Sequence, residues 1–225
     1  MKNIATLATL LLVTLLVVPV AARAQERPGA VYLGAAVSAA WAQGVTENGF
    51  RIYVASPGGW SPGWSAGGGV FLLRRASVEF EVFRTGFMKS TQPSRYGMIF
   101  HEERRDTFFT AAVRLHLRPD GILDFEPVVG FDIVRGEAWH CTDHTNWATG
   151  EIIACGSERW HDAADAVAGF SAGADARIGG RRAALVVTFR THRTFRGEQG
   201  SSWYPNGTAG WTLRTGAGVR VVFWN

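Results

Sequence analysis

Between Val78 and Val82 the chain reads Val, Glu, Phe, Glu, Val. In an extended strand Val78, Phe80 and Val82 therefore share one face and Glu79 and Glu81 the other. This fragment sits in Trp64 to Arg84, two runs of strand length joined at Arg74-Arg75-Ala76, which reads as a tight hairpin. A strand with one apolar and one charged face lies between two unlike environments. In a soluble sheet the apolar face packs inward, whereas in a closed barrel that crosses a membrane it meets lipid and the charged face lines the interior. The charge pattern along the rest of the chain decides between them.

The first 24 residues have the form of an export signal. Lys2 precedes a run from Ile4 to Val18 that is apolar except for Thr6, Thr9 and Thr14, and Ala22-Arg23-Ala24 offers small residues where a signal peptidase reads them. Cleavage before Gln25 is expected. A membrane-anchoring helix is the alternative, but it needs about 20 apolar residues, and Pro19 ends the run. Residues 25–225 are then one exported domain. Once Lys2 and Arg23 are removed, the 23 basic residues become 21 against 19 acidic, a net of +2 that does not imply nucleic acid.

The two-residue period recurs in eight segments. Val31 to Trp41 is the first strand, and the hairpin supplies the second and third. Thr107 to Leu117, Ile122 to about Trp139, about Asp165 to Arg177, about Ala183 to Arg193 and Trp211 to Trp224 complete the set. Pro127 falls mid-strand, which predicts a local bulge. Short links at Arg74-Arg75-Ala76, Pro119-Asp120-Gly121 and Gly179-Gly180-Arg181 alternate with long polar segments at 42–62, 85–105, 140–162 and about 197–209. An all-β, eight-stranded antiparallel up-and-down transmembrane barrel produces this alternation, with short periplasmic turns and four longer external loops.

If the apolar parity faces lipid, the barrel interior receives Glu79, Glu81, Arg114, Asp124, Glu126, Asp132, Asp175, Arg177, Arg190, Arg214 and Arg220, with His116 and His192. Enclosed charges persist when paired and hydrogen bonded, so a charge network filling the barrel is expected. Eight strands leave room only for side chains. A water-filled lumen forming a narrow channel is the alternative. A soluble lipocalin-like barrel binding a small hydrophobe would also have eight strands and an export signal, but would not place its charges on the enclosed face.

Residues 29 to 224 resemble the small eight-stranded outer-membrane barrels of the OmpA and OmpX type. The likeness lies in the leader, the glycine-studded strands, the short inner turns and the closing strand GAGVRVVFW, which resembles the terminal assembly signal of that family. Asn225 after Trp224 departs from the aromatic ending of the pattern, and no peptidoglycan-binding domain follows the barrel. The resemblance implies an outer-membrane location after export and a structural or surface-interaction role: envelope integrity, adhesion or binding through the loops. Its expected partners are outer-membrane lipids, lipopolysaccharide and the outer-membrane assembly machinery, with the protein a monomer.

No cofactor, metal or catalytic residue is expected. Cys141 and Cys155 lie in one external loop of an exported chain, where a disulfide closing 15 residues contributes about 3 kcal/mol. The competing metal site would draw on His140, Cys141, Asp143, His144, Cys155, His161 and Asp162, whose spacing matches no standard zinc pattern. A lipid A-modifying enzyme would need a histidine beside a hydroxyl nucleophile, and His192-Arg193-Thr194 is the nearest approach. Lys89, Arg95, Arg104 and Arg105 are loop cations able to meet lipopolysaccharide phosphates. Trp41, Trp60, Trp64, Trp139, Trp160, Trp203 and Trp211 fall near the loop ends of strands, as an aromatic girdle would.

Overall fold

A computed structural model describes residues 28–43, 45–46, 55–56, 58–93, 99–145, 149–153, 160–163, 166–180, 182–195 and 210–223. The leader expected at 1–24, together with Arg95, Cys155, Trp203, Trp224 and Asn225, lies outside them. Eight long strands form the wall: β1 Val31–Ala42, β2 Gly59–Leu73, β3 Ala76–Thr85, β4 Ile99–Leu115, β5 Leu123–Thr145, β6 Val167–Gly179, β7 Ala183–Thr194 and β8 Trp211–Phe223. Each pairs antiparallel with its neighbours in the chain, and β1 closes the sheet against β8 from Val31↔Phe223 to Ala42↔Thr212. The result is a closed antiparallel barrel with no unpaired edge in its wall.

The outer face is apolar. Leu33, Val37, Phe80, Val113, Phe125, Val129, Phe131 and Phe189 are all exposed, and Val129 reaches 61 %. The enclosed face carries the charges, with Asp124, Glu126 and Asp132 at 0 %. A soluble barrel has the reverse arrangement, so the lipocalin-like alternative does not fit this fold. On the outward face of β2 to β5, Trp64, Arg84, Thr107 and Arg135 lie side by side and mark the upper rim of the apolar belt.

The strand limits differ from expectation where polar sequence was read as loop. β2 begins at Gly59 rather than after residue 62, with Ser61 and Ser65 buried and Trp60 and Trp64 exposed. Polar side chains can face a polar lumen, so polarity is not a loop signal in this fold. β4 begins at Ile99 rather than Thr107, and β5 continues to Thr145 beyond Trp139. These extensions stand above the barrel as a hairpin, flanked by the short strands Met88–Pro93 and Trp160–Ala163. Cross-strand ion pairs support the hairpin, including Lys89 Nζ to Glu103 at 2.7 Å.

At the opposite end β4 stops at Leu115, and residues 116–122 form a broader connection than the expected turn. Side chains add to the backbone bonds there: the Arg118 amide donates to Asp124 at 2.5 Å, Arg177 donates to the Pro119 carbonyl at 3.0 Å, and Arg74 pairs with Asp120, beside backbone bonds such as His116 N–H to the Arg75 carbonyl at 2.9 Å. Gly179 takes a φ of +132° as the chain turns into β7, a region that disfavours residues with a Cβ.

Pro127 makes no bulge. The register with β6 runs through Pro127↔Ala174 unbroken, while pairing with β4 stops at Arg114↔Val128, so the missing N–H costs a ladder bond on one side only. The irregularity recorded in the wall lies instead between Phe71 and Leu73, at the β2–β3 turn.

Candidate functional site

Alternation along six strands delivers the enclosed side chains to a common space, and Arg114 of β4 lies at its centre. Its Nη2 donates to Glu79 Oε2 at 2.5 Å and its Nη1 to Glu126 Oε2 at 2.8 Å, and it also pairs with Asp175. Arg190 of β7 reaches Glu79 at 3.0 Å, Glu81 at 2.7 Å and Asp175 at 3.2 Å. Arg220 of β8 holds Glu126 at 2.6 Å, Arg177 approaches Glu126 at 3.2 Å and Asp124 at 3.7 Å, and Arg214 holds Glu81 at 3.0 Å. Because the bonded strands lie on different sides of the barrel, the network crosses the lumen. Beside it lies a cavity of about 60 Å³ next to Tyr32, Glu79 and Arg220.

Asp132 stands apart, above this lattice. It accepts from Thr110 Oγ1 at 2.6 Å and Ser171 Oγ at 3.1 Å, and its Oδ2 lies 2.9 Å from His192 Nδ1. The His192 ring packs against Phe108 and Phe83, with centroids 4.7 and 5.7 Å away, and Arg214 lies over Phe83 at 4.5 Å. No hydroxyl bonds its Nε2, so His192 and Thr194 do not form the nucleophile–base pair weighed from the sequence. His192 is buried.

A second histidine has the spacing of a triad that sequence reading missed. His116 Nε2 lies 3.0 Å from Ser77 Oγ, and Nδ1 lies 3.2 Å from Glu126 Oε1. Ser77 and His116 are enclosed, and Glu126 is already held by three arginines. Substrate has no approach to that serine. The same argument bears on His116, Asp124 and Glu126 as cation ligands, whose donor atoms lie within 4.8 Å of one another. The guanidiniums of Arg114, Arg177 and Arg220 already supply the positive charge a metal would bring there.

Tyr32 also escaped attention as a network member. Its phenol donates to Glu79 Oε2 at 3.0 Å and lies 3.3 Å from Ser77 Oγ. It fits because Gly69 stands beside it in register, where a Cβ would come within 2.5 Å of the phenol oxygen. Its inward parity was the available signal.

At the external end, expected loop cations are engaged within the protein. Arg104 is buried against Asp106 at 2.8 Å rather than displayed, and Arg105 Nε donates to Glu137 at 2.6 Å. Arg84 Nη2 reaches the same carboxylate at 3.2 Å. Burial raises the pKa of Glu137, but Arg105 and Arg84 overcome it and hold the carboxyl below its ordinary range. Glu102 has the opposite balance: desolvation pushes it up to about 7, against the lowering effect of Arg104.

His101 Nε2 lies 2.8 Å from Asp143 Oδ2, so Asp143 has a partner outside the cluster considered for metal. Cys141 is disulfide-bonded. The side chains of His140, His144, His161 and Asp162, like Cys155, lie outside the described set. Trp60, Trp64 and Trp211 are exposed near the upper rim, with Arg193 4.9 Å over Trp211.

Comparison with solved structures carries the fold further. A major outer membrane protein from Thermus thermophilus superposes with a TM-score of 0.51 over 85 % of this chain and 99 % of that one, at 11 % identity. The chain has the fold of a small outer-membrane barrel. Two further outer-membrane barrels give lower scores. Ail of Yersinia pestis gives a TM-score of 0.44 at 9 % identity, covering 86 % of this chain and 99 % of its own. Neisserial surface protein A gives 0.44 at 14 %, covering 86 % and 97 %. No family model matches the sequence, and no curated protein matches it significantly. In this outer-membrane barrel the charged residues cross the lumen, and the strands that outgrow the wall stand at the external end.

Proposed function

We propose that this outer-membrane barrel is sealed and that its work is done at its external end, in envelope integrity, adhesion or binding through the β4–β5 hairpin and the loops. The observation that carries the reading is the bridging of the lumen by Arg190, which holds Glu79 and Glu81 from the far wall. A passage for solute would have to break several buried, charge-assisted bonds, and breaking one partner of a buried pair costs about 3–5 kcal/mol. The closed wall leaves no backbone edge in the membrane, which supports a monomer. Export through the leader, hand-over to the assembly machinery and a Cys141–Cys155 bond belong to the same reading, and no catalytic step does.

Recording from the purified protein in planar bilayers tests the seal. The reading expects no steady conductance from the intact protein. Regular open steps that change when Arg190 or Arg214 is neutralised would instead establish the narrow channel.

A further inference from the structure

We propose that the external rim of β3, β4 and β5 binds the phosphate headgroup of an outer-leaflet lipid. The inference rests on the outer-membrane reading above and adds a site and a ligand class to it. Val82, Phe109 and Ile133 lie side by side on the outward face and form the last apolar row. One step higher on that face come Arg84, Thr107 and Arg135, and the step above pairs Arg105 with Glu137. Three guanidiniums and one carboxylate thus gather where the apolar belt ends, an excess of two positive charges.

The patch is organised as well as charged. Arg105 stacks on a pair of rings that meet edge to face at 5.1 Å, with its Cζ 4.8 Å from the Phe87 centroid and 5.0 Å from that of Trp139. Such stacking fixes the guanidinium before a ligand arrives. Glu137 bonds both Arg84 and Arg105 and sets their spacing. Arg135 is exposed and has no ion-pair partner among the described residues. Beside them a surface cavity of about 320 Å³ is lined by Pro62, Trp64, Arg84, Thr85, Phe87 and Arg105.

Guanidinium forks match phosphate oxygens two at a time. A free phosphate has no use for the exposed Trp64 ring at the foot of the patch. A lipid does, because its phosphate sits directly above its acyl chains and an interfacial tryptophan lies at that same depth.

The test uses the full chain in nanodiscs of phosphatidylcholine doped with bis-phosphorylated lipid A or its dephosphorylated form, with bound lipid counted by native mass spectrometry. The intact protein is expected to retain the phosphorylated lipid. The Arg84→Gln/Arg135→Gln variant, checked for folding by its heat-dependent gel shift, is expected to lose roughly tenfold in retention, as two exposed ion pairs dictate. Millimolar inorganic phosphate should not compete. Equal retention by both proteins, equal retention of the two lipids, or displacement by inorganic phosphate would each overturn the site while leaving the barrel reading intact. Failure of the protein to enter the nanodisc would overturn both.

Discussion

Arg190 on β7 and Glu81 on β3 are 109 positions apart in the chain and four strands apart around the barrel, yet their side chains meet at 2.7 Å. Glu79 joins them from the same strand at 3.0 Å. Two opposite walls are therefore tied through the lumen by one guanidinium, and that tie braces the barrel.

Arg190→Ala should lower stability by about 3–5 kcal/mol, because it leaves Glu79, Glu81 and Asp175 short of a partner in an enclosed space. Urea unfolding in detergent, followed by the gel mobility of folded and unfolded forms, reads the change. Arg190→Lys should recover only part of the loss, since an ammonium cannot fork across three carboxylates.

Val129→Arg places a charge at mid-height on the outward face, where Val129 is 61 % exposed. It should cost about 2–4 kcal/mol in a bilayer. The same substitution near the rim, at Thr107, should cost much less, and a refolding titration into vesicles compares the two. Equal small costs at both positions would show that this face is in water.

Gly69→Ala should destabilise the barrel by about 1–3 kcal/mol, because the new methyl would press on the backbone carbonyl oxygen of Val78 and on the Tyr32 phenol oxygen at 2.5 Å. Tyr32→Phe removes the phenol oxygen but leaves the Val78 carbonyl in place and gives up the bond to Glu79, so the double variant should be no more stable than Gly69→Ala. Thermal melts of the four proteins check this.

The pH dependence of the external hairpin follows from Glu102, whose pKa is pushed up to about 7 by burial. A group raised in the folded state contributes stability below its unfolded pKa and loses it as pH rises through the folded one. The hairpin should therefore loosen between about pH 4.5 and 7, visible as faster amide exchange at Ile99–Arg105. Glu102→Gln should abolish that dependence and slow exchange at pH 7.

Much of this was legible because a strand reports its two faces by parity alone. Glu79, Arg114 and Arg190 needed only their position in an alternating run to be placed inside. Parity fails where the outside stops being lipid. Above the rim the outward face no longer carries an apolar stripe and the enclosed face holds charges such as Arg104 and Asp106, so Glu102, Glu103, Arg104 and Arg105 read as loop although they pair across strands. The partners of Arg105 were equally hidden, since Phe87, Trp139 and Glu137 reach it from other segments. Pro127 misled for a different reason: its lost bond faces β4 at the place where that pairing already ends.

The central claim is that the apolar face meets lipid and the charged face is enclosed. Fractionation of expressing cells, followed by gel migration with and without boiling, tests it most directly. The account predicts recovery in the outer membrane and a mobility shift on heating. Recovery as a soluble monomer without detergent, with no shift, would contradict it and make the apolar face a buried surface.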